Sequence, residues 1–289
     1  WASCPAINWT QFLASGLWAV TVMNEYDHIL GFHKINAFRD AVHNSVGGKE
    51  NYFRVEERID FDPYTILGQK TKGGKITEKD CLVMQEIWKG PHTTGNDFLW
   101  YGFLPGGTFW NKIIPIGSFY YPLIGKRPKC FSLVEQYVHL AFEDPKKDLR
   151  HLKIRDFEKV FDTCIRKLGW LSCDNADLRS FADAGGKLII DHGLDDPLIP
   201  VEGTIDYYHR MREIHGGQNF IDQFCRLYIN PGDGHGNCHT NGPGMTESTG
   251  IQALMNWVEQ NKAPENLPAV LVNQKTGKTI RKGIVKPWR

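Results

Sequence analysis

Two glycine-rich loops carry the residues best suited to chemistry. The loop after residues 187–191 reads "GLDDPLIP" and holds Asp195 and Asp196. The loop after "FCRLYI" (224–229) reads "NPGDGHGNC" and holds Asp233 and His235. A carboxylate on an imidazole Nδ1–H fixes the ring tautomer and stabilises its protonated form, which a general base needs. The same residues also suit ordinary turns, since Asp-Pro and Gly-Asp-Gly are common turn chemistry. A third reading places a metal on Asp233, His235, Cys238 and His239, which are soft or borderline ligands. Spacing alone leaves the three readings open.

An Asp–His pair forms only if the two loops meet. "GGKLIIDHG" (185–193) and "FCRLYI" (224–229) have the run length and flanking glycines of buried strands. "GTIDYYHRMREIHGG" (203–217) is predicted to be a helix, with Thr204 as N-cap and Gly216 as stop. "TESTGIQALMNWVEQNKAP" (246–264) is a second, with Ile251, Leu254, Met255 and Val258 on one face. Strand, helix, strand, helix implies two parallel strands joined by a crossover. The loops after parallel strands share the carboxyl edge, where ligands bind in such sheets. Neighbouring strands lie about 4.8 Å apart, so Asp and His can meet there. "AVLVNQKTGKTIRKGIV" (269–285) reads as a terminal hairpin turning at Lys275, Thr276 and Gly277.

The remaining chain is less regular. Residues 1–25 are apolar and aromatic, with "PAINW" as a strand end and turn. From 26 to about 130, Gly, Pro and aromatics are scattered with few clean periods. Residues 77–90 are the exception, a predicted helix capped by Thr77 with Leu82, Ile87 and Trp88 on its apolar side. Residues 131–144 form another, with Ser132 as cap and Leu133, Tyr137 and Leu140 at helical spacing. An irregular region of this length is too long for a plain loop and is read as a lid or inserted domain.

Composition removes several function classes. The chain's formal net charge of +1 gives no electrostatic case for nucleic acid or acidic membranes as partners. No apolar run approaches the ~20 residues of a membrane span. The seven cysteines contain no CxxC, and their odd number leaves at least one thiol free or paired to another chain. Asn8-Trp9-Thr10 is a glycosylation sequon. The chain begins at Trp1, so it is read as a processed product, a fragment, or a sequence without its beginning.

Several blocks resemble the tannase/feruloyl esterase family. They are "GGKLIIDHGLDDPLIPVEGTIDYYHRM", "FCRLYINPGDGHG", "GPG" and "ALMNWVEQNKAPENLPA" in the last third, with "PAINW", "DFDPYTILGQ", "FLWYGFLPGG" and "DLRSFADAGGKL" before them. The resemblance implies an α/β fold, part of an α/β-hydrolase with a large lid inserted before the acid-bearing strand. Its segments would be hydrolase residues 1–25, lid 26–165, and C-terminal hydrolase 166–289. It implies that Asp196, directly before a proline, is the triad acid and His235 the base. Lid aromatics such as Trp100 and Tyr101 would bind the aromatic acid of an ester. The implied protein is a secreted serine esterase without cofactor.

Departures from the family pattern qualify this. The family's nucleophile lies in a Cys-Ser-x-Gly-Gly motif preceding the segment that resembles "PAINW". None of the eight serines here sits in a G-x-S-x-G context. Either a companion segment or chain supplies the nucleophile, or the protein is a degenerate relative with a binding or structural role. Gly236 follows His235 where the family has a Cys, and Cys238 is displaced by two. The family's lid calcium loop, D-x-x-D-x-x-x-D, is matched by His43, Val46 and Glu50, so no calcium is expected. Family cysteines at the positions of Val42, Ile59 and Lys286 are also absent. The expected partner is an aromatic ester, with a homodimer left open.

Overall fold

A computed structural model describes residues 1–46, 59–107, 119–120, 129–237, 242–273 and 275–289. They fall into two units. One gathers the described residues of 8–46 and 59–173, the other those of 1–7 and 174–289.

The unit of 8–46 and 59–173 is built on six helices: α1 (Trp9–Ser15), α2 (Trp18–Glu25), α3 (Phe32–Ser45), α4 (Glu78–Lys89), α5 (Ser132–Phe142) and α6 (Ile154–Leu168). α4 begins where its sequence predicts. Thr77 Oγ1 accepts the Asp80 amide at 3.2 Å, and Asp80 Oδ2 accepts the Thr77 amide at 2.7 Å, a reciprocal cap. The fully buried Asp80 also takes Lys34 Nζ at 2.6 Å and His28 Nε2 at 2.8 Å. Burial works to raise its pKa, and these bonds outweigh it, so the carboxyl stays below its usual range.

Two helices in this unit depart from expectation. In α5, Phe131 rather than Ser132 occupies the cap position, and the buried face is Val134, Tyr137, Val138 and Ala141. Leu133 and Leu140, predicted to face inward, are exposed. α3 lies within the stretch read as irregular. It buries Ile35, Phe38 and Val42 at helical spacing, between charged and polar residues that obscure the period.

The unit of 1–7 and 174–289 carries a parallel sheet ordered β1 (Ala2–Ser3), β2 (Leu188–Gly193), β3 (Cys225–Asn230). Ala2 pairs Ile190, and Ile190 pairs Leu227. All of β3 and nearly all of β2 are buried, as a parallel strand covered on both faces requires. The crossover between β2 and β3 contains α7 (Val201–Ile214), which starts directly after Pro200. Thr204 is therefore not a cap. It sits one turn inside α7, buried, and its hydroxyl meets His192. Gly216 follows the helix end at φ +78°, a backbone that suits glycine.

α8 (Glu247–Gln260) is capped by Thr246, whose Oγ1 accepts the Thr249 amide at 3.2 Å. Its inward face is Gly250, Ala253 and Trp257. Ile251, Met255 and Val258, expected to face the core, are exposed. The small residues let the helix approach closely, and a Cβ on Gly250 would meet the Trp1 indole at 2.8 Å. Trp257 then packs with Ile189, Tyr228, Met245, Leu267, Ala269 and Val285. The terminal hairpin β4 (Leu267–Val272) and β5 (Thr279–Val285) is antiparallel, as expected, starting two residues earlier than its sequence suggests. Among the described residues, no helix is long and apolar enough to cross a membrane.

Candidate active site

Parallel pairing of β2 and β3 brings the loops after them to one edge, and backbone bonds tie them together. Leu194 N–H donates to Asn230 O at 2.9 Å, and Asp195 N–H donates to Asp233 O at 3.0 Å. Gly193 permits this approach, because a Cβ there would stand 2.4 Å from the carbonyl oxygens of Asp233 and Gly234.

Asp196 is at the centre, its side chain wholly buried. Oδ1 accepts the amides of Leu198 at 2.8 Å and Ile199 at 3.0 Å, an Asx-type turn of its own loop. Oδ2 accepts His235 Nδ1–H at 2.9 Å and His192 Nε2–H at 3.2 Å. Burial alone would raise this carboxyl's pKa. The bonds and charge of the two histidines reverse that and hold it well below the usual carboxylate range.

His235 sequence context looks exposed, but its side chain is only 31% so. Burial opposes its protonation, yet the bond to Asp196 and its negative charge prevail, and the pKa is raised above 6.5. With Nδ1–H committed to Asp196, Nε2 is the ring nitrogen that can accept a proton. This is the geometry that a general base and its orienting acid require.

Two further contributors carry little signal in sequence. His192 Nε2 faces two acceptors, Asp196 Oδ2 and Ile199 O at 3.1 Å, so it carries the hydrogen. Nδ1 then accepts from Thr204 Oγ1–H at 2.9 Å. A histidine inside the apolar run "LIIDHG" is the only sequence signal of this role. Cys4 is the second. Its Sγ takes the Gly236 amide at 3.4 Å and lies 3.7 Å from Gly234 O, under the loop that bears His235. Burial, then the charge of Asp196, push its thiol pKa well up.

The other candidates are placed as follows. Asp195 and Asp233 are buried, and Asp233 accepts the Gly234 amide at 3.0 Å. Burial first, then the neighbouring aspartates, push the Asp233 pKa up to about 8. Asp191 is pushed by burial to about 6, although Trp1, Ser3 and Asn230 side chains donate to it. Cys238 and His239 of the zinc reading lie outside the described residues. Trp100 is buried and Tyr101 half-buried, their rings 5.1 Å apart, in the other unit. His43 lies in α3 with Nε2 bonded to Gly106 O at 3.1 Å, and Val46 ends that helix. Glu50 lies outside the described residues.

Residues 126–288 match the family model described as tannase and feruloyl esterase. The chain belongs to that family. This tannase/feruloyl esterase chain is 28% identical over 288 residues to a probable feruloyl esterase of Arthroderma benhamiae, covering 93% of itself and 51% of that protein. Tannin acyl hydrolase from Aspergillus niger superposes with a TM-score of 0.80 at 21% identity, over 99% of this chain and 56% of that one. Feruloyl esterase B from Aspergillus oryzae gives 0.79 at 18% identity, over 99% and 59%. The fold is that of the α/β-hydrolases. The chain spans just over half the length of these relatives.

Proposed function

We propose that this chain supplies the acid and base of a carboxylic ester hydrolase acting on aromatic-acid esters. The observation that carries the reading is the 2.9 Å bond from His235 Nδ1 to the buried Asp196 carboxylate at the sheet's carboxyl edge. His235 Nε2 takes the proton of a serine hydroxyl as that oxygen attacks the ester carbonyl. Asp196 stabilises the imidazolium, which then gives its proton to the departing alkoxide. His192 holds Asp196 in line while Thr204 holds His192. The nucleophile is proposed to be a serine outside this sequence, on a companion segment or chain. A secreted setting fits the reading.

A serine-directed fluorophosphonate, with an aryl ester of a hydroxycinnamic or gallic acid as substrate, tests it. The expected result is labelling of a companion polypeptide, lost together with turnover in His235→Ala. Labelling of a serine among these 289 residues would overturn the assignment of the nucleophile. No labelling and no turnover would leave a binding or structural relative.

A further inference from the structure

Among the described residues, one group of side chains could together ligate a metal ion. Cys4 Sγ, a ring nitrogen of His192 and a carboxylate oxygen of Asp196 lie within 4.8 Å of one another, and all three residues are buried. Thiolate, imidazole and carboxylate are the donors of zinc-class sites, and they ill suit calcium or magnesium, which take oxygen shells. Tetrahedral zinc sets its ligand atoms roughly 3.3–3.7 Å apart, from its usual bond lengths. His192 Nε2 and Asp196 Oδ2 are already 3.2 Å apart. The sulfur needs to close by at most about 1.3 Å on that geometry.

The surroundings also suit a bound ion. A histidine that ligates through Nε2 must carry its proton on Nδ1 and needs an acceptor there. Thr204 Oγ1 stands 2.9 Å from Nδ1, and a hydroxyl can accept as readily as it donates. The charge of Asp191, which acts on Cys4, adds negative potential beside the cluster.

We propose that Cys4, His192 and Asp196 form a site for a thiophilic divalent cation of the zinc class, and that its occupancy switches off His235. On binding, the Cys4 thiol releases its proton to solvent and the sulfur bonds the ion. His192 shifts its proton from Nε2 to Nδ1 and donates it to Thr204. Asp196 Oδ2 turns from His235 to the ion, so the imidazole loses its orienting acid. The binding stands on the cluster alone. The switch rests on the hydrolase reading.

The test titrates the reduced, metal-free protein with cadmium and follows the thiolate-to-cadmium ultraviolet absorption. One equivalent is expected to bind. Cys4→Ser is expected to abolish the band, Thr204→Val to weaken binding about tenfold, and Cys173→Ser, at an exposed thiol, to leave it intact. Absence of the band in the unaltered protein, or its survival in Cys4→Ser, overturns the site. Should Cys4→Ser lose its native circular dichroism, His192→Gln decides instead: unchanged affinity there overturns the site. None of these readouts needs ester turnover. With turnover in hand, zinc inhibition that disappears in Cys4→Ser supports the switch. Inhibition unchanged in that variant places the ion on His235 and overturns it.

Discussion

His235 gains its basicity from one contact, and removing that contact has a predictable sign. In Asp196→Asn the carboxylate's charge is gone and only burial acts on the ring, so the His235 pKa should fall from above 6.5 to below it. An NMR titration of the His235 ring protons reads this directly, and an unmoved pKa would refute the account. Ester turnover, where present, should fall by about four orders of magnitude in the same variant. The two raised aspartates add a pH effect on folding. Asp191 and Asp233 bind protons more tightly when folded, so their stabilisation is present in acid and fades as pH rises through about 6 and about 8. His235, also raised, acts in the same sense above 6.5. Asp196 acts oppositely, and its contribution is lost only as pH falls below the usual carboxylate range. Denaturant unfolding should therefore show greatest stability at about pH 4, below the pH at which a neutral His235 favours turnover, and a decline from there toward pH 8. A stability maximum at or above pH 8 would contradict this.

At the scale of elements, the strands were legible and the helix faces less so. β2 and β3 are short apolar runs bounded by glycine or turn residues, and their order around one helix implies parallel pairing. That was enough to bring Asp196 and His235 to one edge. Sequence misplaces the face of α8 because residue hydrophobicity ranks Ile251, Met255 and Val258 above Gly250 and Ala253. Packing selected the opposite side, where small residues admit the helix and Trp257 fills the remaining space. Urea unfolding of two variants separates the faces. Trp257→Ala should cost about 3–5 kcal/mol, whereas Met255→Lys should change stability by about 0.5 kcal/mol or less. Equal losses would favour the face that hydrophobicity alone suggests. Gly193→Ala tests the edge itself: its Cβ would press on two carbonyl oxygens, so a loss of about 1–3 kcal/mol is expected.

Across the whole molecule, what sequence could not reveal is adjacency between distant segments. Cys4 reaches the site because β1 pairs with β2 across almost 190 residues, and no local pattern records that. The same holds for thiol reactivity. Of the six described cysteines, Cys173 alone is exposed. Burial pushes Cys81 up to about 11 and Cys130, Cys164 and Cys225 up to about 12. Brief treatment of the native protein with a thiol-specific alkylating reagent, followed by peptide mass spectrometry, should modify Cys173 well before these four. Early modification of Cys225 would show β3 to be more accessible than its packing implies.

The protonated Asp233 also changes how the folded molecule moves in an electric field. The formal count of +1 treats every aspartate as ionised. With its pKa near 8, Asp233 keeps its proton at pH 7, so the folded chain carries about one more positive charge than its unfolded form. Unfolding releases that proton to the buffer. Across a transverse urea gradient at neutral pH, the two forms should thus differ in mobility through charge as well as through size.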